Sequence, residues 1–132
     1  PVNNISYYEA EAFSKYCNAE LPIEEEWNWV FTNRNKTKYQ NGIYHKSNLI
    51  FDMSLKSVVN EEFISLMNIN QLSGNLWQFT KSKEFETDDS KICVKGGDYN
   101  LPYLILNHDL KMYISKETRK HNIGFRILKK NF

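Results

Sequence analysis

Both segments that carry clear helix signals lie within the first 31 residues, so the rest of the chain must complete the fold from short strands and turns. Ser6-Tyr7-Tyr8-Glu9 has the form of a capping box, a hydroxyl followed three residues later by a carboxylate. Ile5 and Ala10 are spaced as its hydrophobic staple. The spacing predicts a helix over 5–18, with Tyr8, Ala12, Phe13, Tyr16 and Cys17 as the apolar stripe that meets the core. Leu21-Pro22 then reopens the chain. Glu24, Glu25 and Glu26 follow in the first turn of a second helix, where the helix dipole favours negative charge and water can solvate all three. From that helix Trp27, Val30 and Phe31 face inward.

Between Thr32 and Asn60 the composition turns polar and turn-rich, with Leu49-Ile50-Phe51 the best short strand candidate. Such a long irregular connection inside a compact domain is often functional. Gly74-Asn75-Leu76-Trp77-Gln78-Phe79-Thr80 alternates apolar and polar residues, as a half-buried strand does. Lys81–Ser90 reads as an exposed charged loop, Ile92-Cys93-Val94 as a strand running into Gly96-Gly97, and Ile123–Leu128 as a closing strand. The paired glycines permit a close backbone approach that a Cβ would block. The indoles of Trp27 and Trp77 each bring an N–H that must find an acceptor once buried. Arg126 sits between Phe125 and Ile127, so it points away from them and toward a carboxylate such as Glu26.

At 132 residues and 41% apolar content, one core and one domain spanning 1–132 are expected. Seventeen basic against sixteen acidic side chains, without a like-charge block, give no support for nucleic-acid or acidic-membrane partners. The longest apolar runs fall far short of the ~18 residues of a membrane helix. Cys17 and Cys93 lack C-x-x-C spacing and read as buried free thiols, which favours a reducing, cytoplasmic setting. His45, His108 and His121 are isolated in predicted loops. No serine, histidine and aspartate share a spacing that suggests a triad.

Five stretches, in this order, resemble the formylglycine-generating-enzyme (sulfatase-modifying factor) superfamily, a variant of the C-type-lectin-like fold. Pro1–Phe13 is similar to its P-V-x-x-V-S-W-x-x-A-x-A-Y opening, and Leu21–Trp27 to L-P-T-E-A-E-W. Gly74–Thr80 resembles G-N-V-W-E-W-T, Val94–Tyr99 resembles V-x-R-G-G-S-W, and Ile123-Gly124-Phe125-Arg126 resembles the closing I-G-F-R. The resemblance implies an α+β domain of two helices, a small antiparallel sheet and much irregular loop, lacking the family's usual N-terminal portion, either as the C-terminal piece of a longer protein or as a reduced member of the family.

The family's copper oxidases carry two cysteines after the double glycine, and the resemblance places those positions at Leu101 and Leu106. Leucine offers no thiolate, so cysteine redox chemistry and copper-thiolate ligation are not expected there, and the chain is not expected to be catalytic alone. The family's calcium position would fall near Gln71, Gly74, Leu76 and Gln78, where two amides replace the usual stronger ligands. Metal ligands and cofactors are therefore not expected.

Two uses of the family remain. One is a non-catalytic ligand-binding or substrate-recognition module for a small molecule, peptide or protein, with Asp98, Tyr99, Asn100, Tyr103, His108 and Trp77 as candidate contacts. Tyrosine and asparagine suit such a surface, the one rigid and the other adaptable. The alternative is the C-terminal, substrate-pocket half of a non-haem iron sulfoxide synthase of the ergothioneine or ovothiol type. The Ser6-Tyr7-Tyr8-Glu9-Ala10 segment resembles those enzymes. In them the iron ligands belong to an upstream domain of the same protein.

Overall fold

The computed structural model describes residues 2–34, 42–43, 73–101 and 109–129. Helix α1 (Tyr7–Tyr16) and helix α2 (Glu24–Arg34) come first. Strands β1 (Gly42–Ile43) and β2 (Ser73–Gly74) form a two-residue parallel pair. The main sheet comprises β3 (Trp77–Phe85), β4 (Asp88–Lys95), β5 (Lys111–Ser115) and β6 (Ile123–Phe125), in the order β5-β4-β3-β6. β4 runs antiparallel to both β3 and β5, whereas β6 is parallel to β3, with Trp77 opposite Ile123 and Phe79 opposite Phe125. The sheet is thus mixed rather than wholly antiparallel.

The capping box forms as its sequence dictates. Glu9 N donates to Ser6 Oγ at 3.3 Å, and Ser6 N donates to Glu9 Oε1 at 3.0 Å. The inward face of α1 differs from the expected stripe, however. Tyr7, Ala10 and Ser14 are buried, whereas Tyr8, Ala12 and Phe13 are exposed and Tyr16 keeps 85% of its surface open. The physical reason is close approach: Ala10 and Ser14 let the helix settle on the sheet, and Tyr7 packs edge-on against Phe79 with ring centroids 6.0 Å apart. The larger aromatic residues are left outside, where Phe13 meets the half-buried Phe125 edge-on at 5.7 Å.

β3 shows a second departure. Trp77, Gln78, Phe79 and Thr80 are all buried, because both faces of the sheet are covered. Trp77, Phe79, Ile92, Val94 and Ile123 form one core with Tyr7 and Ala10 of α1. Trp27 and Phe31 of α2 stack with centroids 5.3 Å apart, and Trp27 lies over the Gln78 and Lys95 side chains of the opposite face. The polar residues of that face are satisfied locally: Thr80 Oγ1 donates to the Cys93 carbonyl at 2.9 Å, and Trp27 Nε1 donates to Gln78 Oε1 at 3.3 Å.

Lys81–Ser90, expected as a loop, is the exposed end of a hairpin: β3 continues to Phe85, and β4 begins at Asp88, paired with it. Lys83 and Asp89 form an ion pair across its two strands. The closing strand is shorter than expected, ending at Phe125, and Leu128 pairs separately with Glu20. Leu49-Ile50-Phe51 lies outside the described residues.

Candidate functional site

The site is built where β4 ends. Gly96 and Gly97 take φ of 101° and 69°, a left-handed region that side chains disfavour, and so turn the chain sharply. Gly74 N donates to the Gly96 carbonyl at 2.6 Å, which draws β2 against this bend. The next residue, Asp98, is 6% exposed. Its Oδ2 accepts from Trp77 Nε1 at 3.1 Å and from Asn122 Nδ2 at 2.9 Å, while Oδ1 accepts from Asn100 N at 2.8 Å. One buried carboxylate thereby ties the start of β3, the approach to β6 and its own loop together.

Around this hub, Tyr99 N donates to the Asn75 carbonyl at 3.2 Å, and Leu101 N to the Asp98 carbonyl at 3.3 Å. The Tyr99 ring is half-buried and lies 6.2 Å from the exposed His121 ring, and Asn100 is exposed. The structure therefore brings Trp77, Asp98, Tyr99 and Asn100 together, with the first two inward and the second pair toward solvent. Tyr103 and His108 lie outside the described residues. Asn122 and His121 complete the arrangement without having been singled out as site residues. Their one sequence signal is adjacency to Ile123, which registers β6 against Trp77.

Of the positions associated with metals in the resembled family, Leu101, Gly74, Leu76 and Gln78 lie among the described residues. Leu101 is half-buried and packs against the main core, and Leu106 and Gln71 lie outside the described residues. Gln78 Oε1 accepts from Trp27 Nε1 and also from Arg126 Nε at 2.6 Å. Arg126 thus meets the amide of Gln78, and burial pulls its guanidinium down to about 10, still protonated at neutral pH. Among the described residues, no three histidine, cysteine, aspartate or glutamate side chains gather as a metal would need. Cys93 is buried and its thiol is pushed up to about 11 by burial, so it is a poor nucleophile, and Cys17 is half-buried.

The three glutamates of α2 have separate roles. Glu26 Oε1 accepts from Ile23 N at 3.0 Å and caps the helix. Glu24 is largely buried rather than solvated as expected: its Oε1 lies 2.9 Å from Lys111 Nζ and 4.0 Å from Lys95 Nζ. The Glu24 carboxylate raises Lys111 to about 12. Lys95 is fully buried beneath Trp27, its Nζ 5.3 Å from that ring, and burial lowers its ordinary value. The aromatic face and Glu24 together offset the burial of this charge. These residues join α2 to the sheet.

A curled mixed sheet covered by one helix on each face, closed by a double-glycine bend and an Ile-Gly-Phe-Arg strand, defines an α+β domain of the formylglycine-generating-enzyme-like fold. The chain belongs to the sulfatase-modifying factor enzyme 1-like domain family, which matches residues 1–131. Among solved structures it is similar to CarF, with a TM-score of 0.76 and 15% identity over 96% of this chain and 66% of that one. It is also similar to PvdO from Pseudomonas aeruginosa, with a TM-score of 0.70 and 10% identity over 96% of this chain and 60% of that one. Treponema denticola variable protein 1 matches with a TM-score of 0.62 and 15% identity, over 96% of this chain and 70% of that one. The chain therefore spans less than two thirds of the length of PvdO and of CarF. No curated protein matches it. No helix among the described residues is long and apolar enough to cross a membrane.

Proposed function

We propose that this domain is a non-catalytic ligand-binding or substrate-recognition module of its family. The observation that carries the reading is Leu101: at the position where the family resemblance places the first metal-gripping cysteine stands an aliphatic side chain packed on the core. A leucine there can shape a surface but supplies neither a thiolate ligand nor electrons. Cys93 does not replace it, being buried and held protonated.

The recognition face is formed by Tyr99 and Asn100, with Asp98 and Trp77 holding it in place from beneath, and Tyr103 and His108, outside the described residues, are assigned to the same role on their residue type alone. A rigid aromatic contact next to an exposed amide suits a small polar molecule or a peptide. We further propose that Gln78 does not ligate calcium: its carbonyl oxygen already accepts two N–H donors, one of them a guanidinium that would repel a divalent cation. The S-Y-Y-E-A segment has sufficient reason in the capping box and the packing of Tyr7. The sulfoxide-synthase alternative therefore rests on finding an iron-binding helical domain in the same protein.

The test uses arrays of immobilised peptides and glycans probed with the purified chain and with a Tyr99→Ala, Asn100→Ala variant. Selective signals lost in the folded variant support the recognition face. Signals that the variant retains in full would place binding elsewhere and contradict it, as would the absence of any selective signal.

A further inference from the structure

Asp98 fastens two loops at once. Its Oδ1 accepts from Asn100 N at 2.8 Å within its own loop, and its Oδ2 accepts from Asn122 Nδ2 at 2.9 Å in the turn that leads to β6. The N-terminal segment holds that turn from the other side. The Lys120 carbonyl accepts from Asn4 N at 3.0 Å, and the His121 carbonyl accepts from Asn3 Nδ2 at 2.8 Å. With these carbonyls engaged, the side chains of Lys120 and His121 stand exposed on a fixed turn, and the His121 ring lies 6.2 Å from that of Tyr99. The surface of Tyr99 and Asn100 therefore continues onto the turn that carries Lys120 and His121.

The charge on this surface is unbalanced. Elsewhere Lys15, Lys81, Lys83, Lys111 and Arg119 each pair with a carboxylate. Among the described residues the side chains of Lys120 and His121 have no ion-pair or hydrogen-bond partner. In residues 98–101 and 119–122 the one carboxylate is that of Asp98, which is 6% exposed and turns both oxygens inward to three N–H donors. What meets a ligand is thus an ammonium, an imidazole, a tyrosine ring and the Asn100 amide. That amide has a donating and an accepting end, the complement of a peptide group. A hydrogen bond to an ionised partner is roughly twice as strong as one between neutral groups, so the ammonium favours a carboxylate over an amide.

We propose that this two-loop surface recognises an acidic peptide, with a backbone amide on Asn100, a side chain against Tyr99, and an aspartate or glutamate carboxylate on Lys120 and His121. It rests on the recognition face proposed above and names the ligand class of that face. Asn100 favours a peptide over an acidic glycan, because a peptide group satisfies both ends of its amide.

The test is an array of immobilised peptides that differ only in carrying glutamate, glutamine or lysine at the varied positions, printed beside sialylated glycans and probed with the purified full chain at low and high salt. The glutamate set should bind about tenfold more strongly than the glutamine set, as expected for one charge-assisted hydrogen bond, and the difference should shrink as salt is raised. A Lys120→Glu, His121→Glu variant alters only exposed side chains of a turn held by its backbone, so it should fold and should move binding from the glutamate set to the lysine set. Lys120→Arg keeps the charge and should bind as the parent does. Equal binding of the glutamate and glutamine sets, lost in the Tyr99→Ala, Asn100→Ala variant, would overturn the acidic preference and leave the recognition face standing. A glutamate preference that survives Lys120→Glu, His121→Glu would also overturn it, as would sialylated glycans bound in preference to every peptide. The absence of any selective signal, or signals kept in full by Tyr99→Ala, Asn100→Ala, would contradict the face itself and the acidic peptide with it.

Discussion

Trp77 Nε1 donates to Asp98 Oδ2 at 3.1 Å across 21 residues of chain, and the same oxygen holds Asn122 at 2.9 Å. A side chain expected to contact ligand is thereby the fastener of the loop that carries its neighbours. Asp98→Ala should destabilise the domain by about 2–4 kcal/mol, because the buried indole N–H and the Asn122 amide would each lose an acceptor. Asp98→Ser retains one small acceptor and should cost less. Urea unfolding of the three proteins checks the order; equal stability of Asp98→Ala and the parent would show that the fastener does not matter.

Glu9 gives the fold a defined response to acid. Its bonds from Ser6 and from Arg119, the latter at 2.6 Å, hold its carboxyl below the ordinary value of 4.5, and Glu11, Asp88 and Asp89 are also lowered. A carboxylate whose folded value is depressed contributes stability above its unfolded value and loses it as pH falls through the folded one. Stability should therefore be level near neutrality and fall as pH drops below about 4.5. Ser6→Ala should cost about 1 kcal/mol at pH 7 and shallow the acid limb. Urea midpoints between pH 3 and pH 7 measure both; an unchanged acid limb in Ser6→Ala would argue against the cap as its source.

The two thiols should react differently. Cys93 is buried with its thiol pushed up to about 11, whereas Cys17 is half-buried at the end of α1. An aromatic disulfide reagent at pH 8 should modify Cys17 first and reach Cys93 only on unfolding. Rapid labelling of both in the native protein would contradict the buried environment of Cys93.

Gly124 is the closest backbone crossing in the closing strand. A Cβ added there would lie 2.5 Å from the Val2 carbonyl oxygen and 2.9 Å from Leu76 Cδ1, so the N-terminal segment would have to move off β6. Gly124→Ala should cost about 1–3 kcal/mol by overpacking. Calorimetry checks it, and a variant as stable as the parent would mean that the segment around Val2 yields freely.

The capping box of α1, the three acidic residues opening α2 and the double-glycine bend were legible in the sequence because each depends on a few adjacent residues. The buried face of α1 was not. Aromatic residues surround this helix, and the packing against the sheet selects the face with the smallest residues, Ala10 and Ser14, over the face with the most apolar ones. The Lys81–Ser90 hairpin was hidden because its side chains are solvated, which erases the alternation that marks a half-buried strand. Asp98, Tyr99 and Asn100 stand out in the sequence as residue types that suit contact, and the structure sets them side by side after the double-glycine bend. The inward role of Asp98 was not legible, since its partners Trp77 and Asn122 come from distant segments that meet only when β6 pairs in parallel with β3.

Whether the leucine at position 101 leaves the scaffold without metal chemistry can be measured by loading the purified chain with copper(I) or calcium, removing the excess, and determining bound metal together with oxygen uptake on a cysteine-containing peptide. Neither metal should be retained stoichiometrically, and oxygen uptake should not exceed that of free copper. Stoichiometric copper with multiple turnovers by the isolated chain would contradict both expectations.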